Sequence, residues 1–452
     1  MNLVKMFNSH AMKFKTVLSL AVFSLVLLTS IKLFAQSSIY AKQVITANSG
    51  KFEFMPPFND YVSLQTYNPA TSAVNNFGTI FTQSAQSILI SGHFAYVTAQ
   101  DSVIKYNLNT LQRVAAVPDS GLNRMALYKD RLIISRQYPV TQHFLEVLDT
   151  ADLSPVAEVT GISGDCGGVC VVRDTVYVAV NGGWMGTQGK LGIIDPTTWT
   201  LKTEVAFGSD AVGIWDLYVW NDFIYTVNKT PYGMPDLGSV TYYDPSTRFF
   251  TNTVIPFKVG GGAGQSGGYL YLGLAYGIGS FNMGTLKVAD TVVVADPGSA
   301  IFSYILSAVI DSITGRIYSN VGDYTTAGYC MVTSLAGDSI TTYATGISSD
   351  AIAIDYRQSG AGIGENAAEG SGAMICPNPV RDRLRLVFNT ETAVASFIIT
   401  DISGRQVRES RPNSTLQKEF SLDVSSLQSG TYFLLINTAS GPVIRPFVVA
   451  HR

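Results

Sequence analysis

Between Tyr40 and Tyr356 the chain repeats one pattern of apolar and polar positions. A short apolar strand with a central Tyr or Ile is followed by a variable polar loop, a second strand ending in Asp or Asn, a turn rich in Pro and Thr, and a further strand. The turns stand at Asn68, Asn107, Asp149, Asp195, Asp244, Asn282 and, in degenerate form, Ser334. Their spacing of about 38 to 52 residues is that of a four-stranded repeat unit and not of a helical solenoid. The strands before the loops give a second register, at Tyr96, Ile133, Tyr177, Tyr225, Tyr271 and Tyr318, with Val44 to Thr46 as the first. Seven units in two agreeing registers predict an all-β fold, a seven-bladed β-propeller.

The ends of the repeat predict how such a ring closes. Each Tyr strand is preceded by an inner apolar strand, as Val169 to Val172 precedes Tyr177, except the first. At the other end, Asp350 to Tyr356 alternates like an inner strand and has no unit of its own. Pairing it with the first unit hides two open sheet edges.

The apolar runs continue differently after Ala373. They are four to eight residues long, bounded by Gly, Asn, Asp or Pro, and predict a small Ig-like antiparallel β-sandwich. The expected division is therefore 1–35 leader, 36–356 propeller, 357–372 flexible linker and 373–452 sandwich. The linker reading rests on its Gly, Ala, Ser and Glu content. For the leader, Lys13 and Lys15 precede an apolar run from Val17 to Leu28. Leu33-Phe34-Ala35 then stands before Gln36, the layout of a secretory signal peptide.

Composition narrows the functional classes. Charged residues make up 14% of the chain and glycines number 41 of 452, which suits short strands with many turns. A net charge of -3 offers no electrostatic basis for nucleic-acid binding. Four cysteines are too few for a disulfide scaffold. Cys166 and Cys170 on one extended strand are about 13 Å apart, beyond bridging distance. The histidines and glutamates are scattered without metal-ligand or paired-carboxylate spacing, and no cofactor is evident. Gly260 to Gly264 lacks the Lys-Ser/Thr of a phosphate loop and is expected to be a flexible turn between units.

A binding site is expected on one end of the ring. In a four-stranded meander the loops joining strands two and three emerge with those linking successive units, and here they are long, aromatic and polar, whereas the other turns are short and alike. Asn48, Gln100, Arg136, Asn181, Asn228 and Asn320 end successive second strands and are expected to ring the channel mouth with hydrogen-bonding groups. Phe54, Phe58, Tyr138, Trp184, Tyr232, Tyr276 and Tyr324 are expected to wall it. Trp184 and Tyr232, in Gly-rich loops of adjacent units, are expected to reach the same mouth, with Arg136 and Asn228 beside them.

Two resemblances add to this. The Pro377-Asn378-Pro379 opening, the Asp401 to Arg405 turn containing Gly404, the Leu422-Asp423-Val424 strand and Ser429-Gly430-Thr431-Tyr432 resemble, in order, the C-terminal sorting domain of type IX secretion cargo. That implies export through the outer membrane by the type IX machinery, to the cell surface or beyond. Val176 to Asn181 and Tyr243-Asp244-Pro245-Ser246-Thr247 resemble the blade motifs of secreted YVTN or surface-layer-like propellers. The body is also similar to surface propellers that capture corrinoids beside a TonB-dependent transporter, which implies a corrinoid-like ligand and such a transporter as partner. The leading expectation is a non-enzymatic protein that captures a small molecule or surface glycan on the long-loop end. The alternatives are a propeller enzyme, such as a lactonase or quinoprotein-like oxidoreductase, and an adhesin or matrix protein.

Overall fold

The turn chemistry read from the sequence sets the architecture. In the computed structural model, the side-chain oxygen at each repeat turn accepts backbone N–H groups two or three residues on: Asn68 from Ala70 and Thr71, Asn107 from Asn109 and Thr110, Asp149 from Ala151, Asp195 from Thr197, Asp244 from Ser246, Asn282 from Gly284 and Thr285. Ser334 does the same for Ala336 and Asp338. Such Asx-type turns add a side-chain bond to the backbone bonds that reverse the chain, such as that from Ser72 N–H to the Asn68 carbonyl. Each ends in a left-handed residue, from Ser72 and Leu111 to Arg248 and Leu286, with Gly337 in the last.

The structure describes residues 39–358 and 374–451, apart from 235–236, 299–303, 377, 402–404, 413–415 and 439–440. The expected signal peptide and most of the expected linker lie outside these residues. Two compact units result, Ile39–Arg357 and the residues from Gln358 onward.

The larger unit holds seven four-stranded sheets, numbered here in chain order. Sheet one joins Ile39–Asn48, Val62–Tyr67 and Val74–Ile80, and the late strand Ser349–Gln358 completes it beside Ile39–Asn48. Sheets two to seven are each four consecutive strands, opened by Ala85–Ser91, Leu122–Tyr128, Cys166–Val172, Ile214–Trp220, Val259–Ser266 and Ile305–Asp311. One 3-10 turn, Ser209–Ala211, interrupts the strands of this unit.

Apolar clusters lie where the sheets face one another. Ala47, Leu64 and Ile80 of sheet one pack with Val97 and Ile104 of sheet two. Equivalent clusters couple two to three, three to four, four to five, five to six and six to seven. A seventh joins Tyr318, Cys330, Val332 and Tyr343 of sheet seven to Val44, Tyr67 and Ile354 of sheet one. Tyr67 stacks on Tyr343 across that seam, with ring centroids 3.9 Å apart. Polar side chains reinforce the late strand: Gln43 donates to Asp355, Ser49 donates to Asp350, and Asn48 accepts from Gly346 N–H and Ser349.

One expectation fails. Gly260 to Gly264 is not a turn; it lies in Val259–Ser266, the opening strand of sheet six. The glycines serve close approach: a Cβ on Gly262 would lie 2.3 Å from the Tyr218 hydroxyl, and one on Gly261 would lie 3.2 Å from the Asp216 carboxylate.

In the second unit, Met374–Cys376, Arg383–Thr392 and Gln417–Asp423 form one sheet, and Gln406–Ser410, Val394–Asp401, Gly430–Thr438 and Gly441–Val449 another. Their apolar faces enclose a core containing Leu384, Leu386, Phe397, Phe420, Leu434 and Phe447, an Ig-like sandwich.

Candidate functional site

The loops joining strands two and three concentrate the exposed apolar side chains. Phe54, Tyr138, Trp184, Tyr232, Tyr276 and Tyr324 come from sheets one, three, four, five, six and seven, and each is more than half exposed. In the connections at the opposite end, Phe249 and Ile313 are the exposed large apolar side chains among the described residues. Exposed apolar side chains gathered on one set of connections make these loops the candidate contact surface.

Trp184 and Tyr232 meet. Their ring centroids are 4.9 Å apart at 56°, although the side chains are 70% and 67% exposed. The meeting follows from backbone chemistry. Left-handed Gly182 and Gly183 turn the first loop, and the Asn181 side chain accepts the Gly183 N–H. Gly186 then packs so tightly that a Cβ there would lie 3.2 Å from Gly213 Cα and 3.6 Å from Pro231 Cα, in the next sheet's connections. Left-handed Gly233 turns the second loop next to Tyr232.

The strand-ending polar residues have different work. Asn228 is fully buried, accepting from Thr226 and donating to Ser239 and Thr241. Asn48 is spent on the seam, and Gln100 accepts from Thr82 and the Gln83 N–H. Asn320 donates to Ser307, and its carbonyl oxygen is buried without a partner. Asn181 is buried with its amide nitrogen unpaired. Arg136 is 6% exposed and paired with Asp119, Glu146 and Glu158. Burial and neighbouring Asp119 push the Glu146 carboxyl upward. None of these lines the cavity described next. The expected polar ring is thus an internal bonding set, with Arg136 and Asn228 set apart from the Trp184–Tyr232 pair.

The cavity itself measures about 700 Å³. Its walls come from the early residues of the innermost strands: Gln86 to Ile88, Arg124 and Met125, Asp216 and Tyr218, Gly260 to Ala263, Ile305 to Val309, and Asp350 to Ile352. Those strand beginnings share an end with the strand two to three connections, and Tyr276 belongs to both the cavity wall and the aromatic face. Arg124 pairs with Asp216 at 3.2 Å and donates to the Gln86 carbonyl. Asp216 also accepts from the Gly262 N–H at 2.8 Å. Lys229 lies 3.8 Å over the Trp215 ring, and burial pulls its ammonium down to about 8. Asp350 is pushed up to about 6 by burial, with the Ser49 hydroxyl partly opposing the shift. Sequence reasoning missed this charged lining because Arg124 stands alone in the third repeat, far in the chain from Asp216 and Lys229 of the fifth. The Gly260 to Gly262 run was the available signal.

In the second unit the sorting-motif residues hold the sandwich ends. Asn378 accepts the Val448 N–H, and Pro379 leads into Val380, which bridges Val449. Asp401 accepts the Arg405 N–H and pairs with its guanidinium. Gly430 pairs with Val449, and the Tyr432 hydroxyl donates to the Gln428 carbonyl. Pro377 and Gly404 lie outside the described residues.

Residues 374–450 match the secretion system C-terminal sorting domain. The protein is exported by type IX secretion. It therefore reaches the cell surface or the extracellular space, and its tail engages the secretion machinery. No curated protein matches the chain. Among solved structures, the hypothetical selenium-binding protein ST0059 from Sulfolobus tokodaii is 10% identical, with a TM-score of 0.52 over 73% of this chain and 95% of that one. Hydrazine synthase from Kuenenia stuttgartiensis is 14% identical, with a TM-score of 0.47 over 61% and 90%. The first is a likeness of fold alone.

Proposed function

We propose that the seven sheets form a seven-bladed propeller and that the exported protein captures a small molecule at the aromatic end of it. The observation that carries this reading is the coincidence of two features at one end. The exposed Trp184–Tyr232 pair and its aromatic neighbours stand on the connections beside which the 700 Å³ cavity is formed, and Tyr276 belongs to both. The volume is that of a small-molecule pocket, and rigid strands present loop-borne aromatic anchors around it. The cluster sequence supports closure into a ring, since each sheet packs on the next and the seventh on the first. The test is a thermal-shift panel of cobalamins, sugars and divalent metals on the secreted chain. A ligand that raises the melting temperature should lose that effect in Trp184→Ala/Tyr232→Ala and keep it in Asp174→Ala, a change at the other end. Retention in the double variant with loss in Asp174→Ala overturns the placement.

A further inference from the structure

The cavity wall holds hydrogen-bond donors that none of the described residues uses. Among the described residues, Lys229 Nζ has a ring beneath it and no acceptor within hydrogen-bonding or ion-pair distance. Arg124 spends its Nε on Asp216 and one terminal nitrogen on the Gln86 carbonyl, leaving the other terminal nitrogen unengaged. Lys258, exposed on the rim, is also without a partner. The carboxylates of the same wall are committed. Asp216 holds Arg124 and the Gly262 N–H, Asp296 accepts the N–H groups of Gly298 and Tyr304, and Asp350 accepts from Ser49. The wall carries three cations and three carboxylates, and the groups left unspent on it are the cationic donors.

Lys229 is half-buried, and a cation on a cavity wall with no protein acceptor is open to one supplied by a ligand. Gly261 makes the approach possible, because a Cβ there would lie 3.4 Å from Lys229 Cε and crowd the space in front of the ammonium.

We propose that the cavity is an anion site in which Lys229 and Arg124 bind the anionic oxygens of a small organic molecule, either a carboxylate or a phosphate. This rests on the cavity-end reading given above and names the chemistry of its ligand.

The test uses pyridoxal 5′-phosphate as probe on the full exported chain, followed by borohydride and peptide mapping. The lysine nitrogen attacks the aldehyde carbon, water leaves to give the imine, and hydride reduces the C=N bond to a stable secondary amine. A free amine is needed, and a lysine pulled down to about 8 by burial is unprotonated about two hundredfold more often at pH 7 than an ordinary lysine. Lys229 should therefore be labelled at least tenfold faster than exposed Lys202 and Lys287. Citrate or inorganic phosphate should slow that labelling at least tenfold, and which of the two protects distinguishes carboxylate from phosphate. Arg124→Gln should weaken the protection while Lys229 remains labelled. Fast labelling that neither anion slows overturns the anion site and leaves the open cavity standing. Absence of labelling at Lys229 overturns the open cavity as well.

Discussion

Trp184 and Tyr232 touch at 4.9 Å from the loops of two neighbouring sheets while both remain mostly in solvent. A pair that gains so little burial contributes about 0.5–1.5 kcal/mol as a ring contact and has little further structural value. Trp184→Ala, Tyr232→Ala and the double variant should therefore each lower the unfolding free energy by no more than about 1.5 kcal/mol, read from urea denaturation. A loss of several kcal/mol in either single variant would make the pair a structural clasp.

The seam between the first and last repeats offers a sharper stability contrast. Asn48 accepts from Gly346 N–H and Ser349 and donates toward Ser63, all within a buried site, whereas Asn181 accepts only from Gly183 N–H and leaves its amide nitrogen unpaired. Leaving a buried group unsatisfied costs about 1–3 kcal/mol. Asn48→Ala should cost at least about 1 kcal/mol more than Asn181→Ala by the same measurement. Equal costs would show that the late strand is not held by this side chain.

Asp350 carries a pH signature with a definite sign. Burial pushes its folded carboxyl up to about 6 from the ordinary 3.8. The folded state thus binds the proton more tightly, and this group's stabilising contribution is full below 3.8 and lost as pH rises through about 6. Asp350→Asn keeps an acceptor for Ser49 and removes the buried charge. It should raise the melting temperature at pH 7.5 and have little effect at pH 3.5. A gain of equal size at both values would exclude the carboxylate as its cause.

Residues 374–450 form a separate compact sandwich that serves export. Deleting 374–452 should leave the remaining chain folded and retained in the periplasm, as cell fractionation and limited proteolysis would report. Surface delivery of the truncated chain at the full-length level would contradict the sorting role.

The sequence made some of this legible and hid the rest for physical reasons. Turns at Asn68, Asn107 and Asp244 are local chemistry, a side chain bonding backbone two residues on, and could be read directly. So could the late strand at Asp350 to Tyr356, whose alternation shows one face to each side. The meeting of Trp184 with Tyr232 was also readable, because Gly-rich loops of adjacent repeats share an end. Asn228 and Arg136 misled because an amide or guanidinium at a strand end looks the same whether it faces solvent or a buried partner. Gly260 to Gly264 misled because glycine marks close approach within a strand as well as a turn. The charged cavity was invisible since Arg124 meets Asp216 and Lys229 only when the third and fifth repeats converge.

Hydrogen–deuterium exchange on the full exported chain, with and without a ligand found by the thermal-shift panel, tests the central claim most directly. Binding at the aromatic end predicts slowed exchange in the loops 181–190 and 228–238 and in the first residues of the cavity-lining strands, with turns such as 128–131 and 149–154 unchanged. Protection confined to those opposite turns, with the Trp184 and Tyr232 loops exchanging as before, would contradict it.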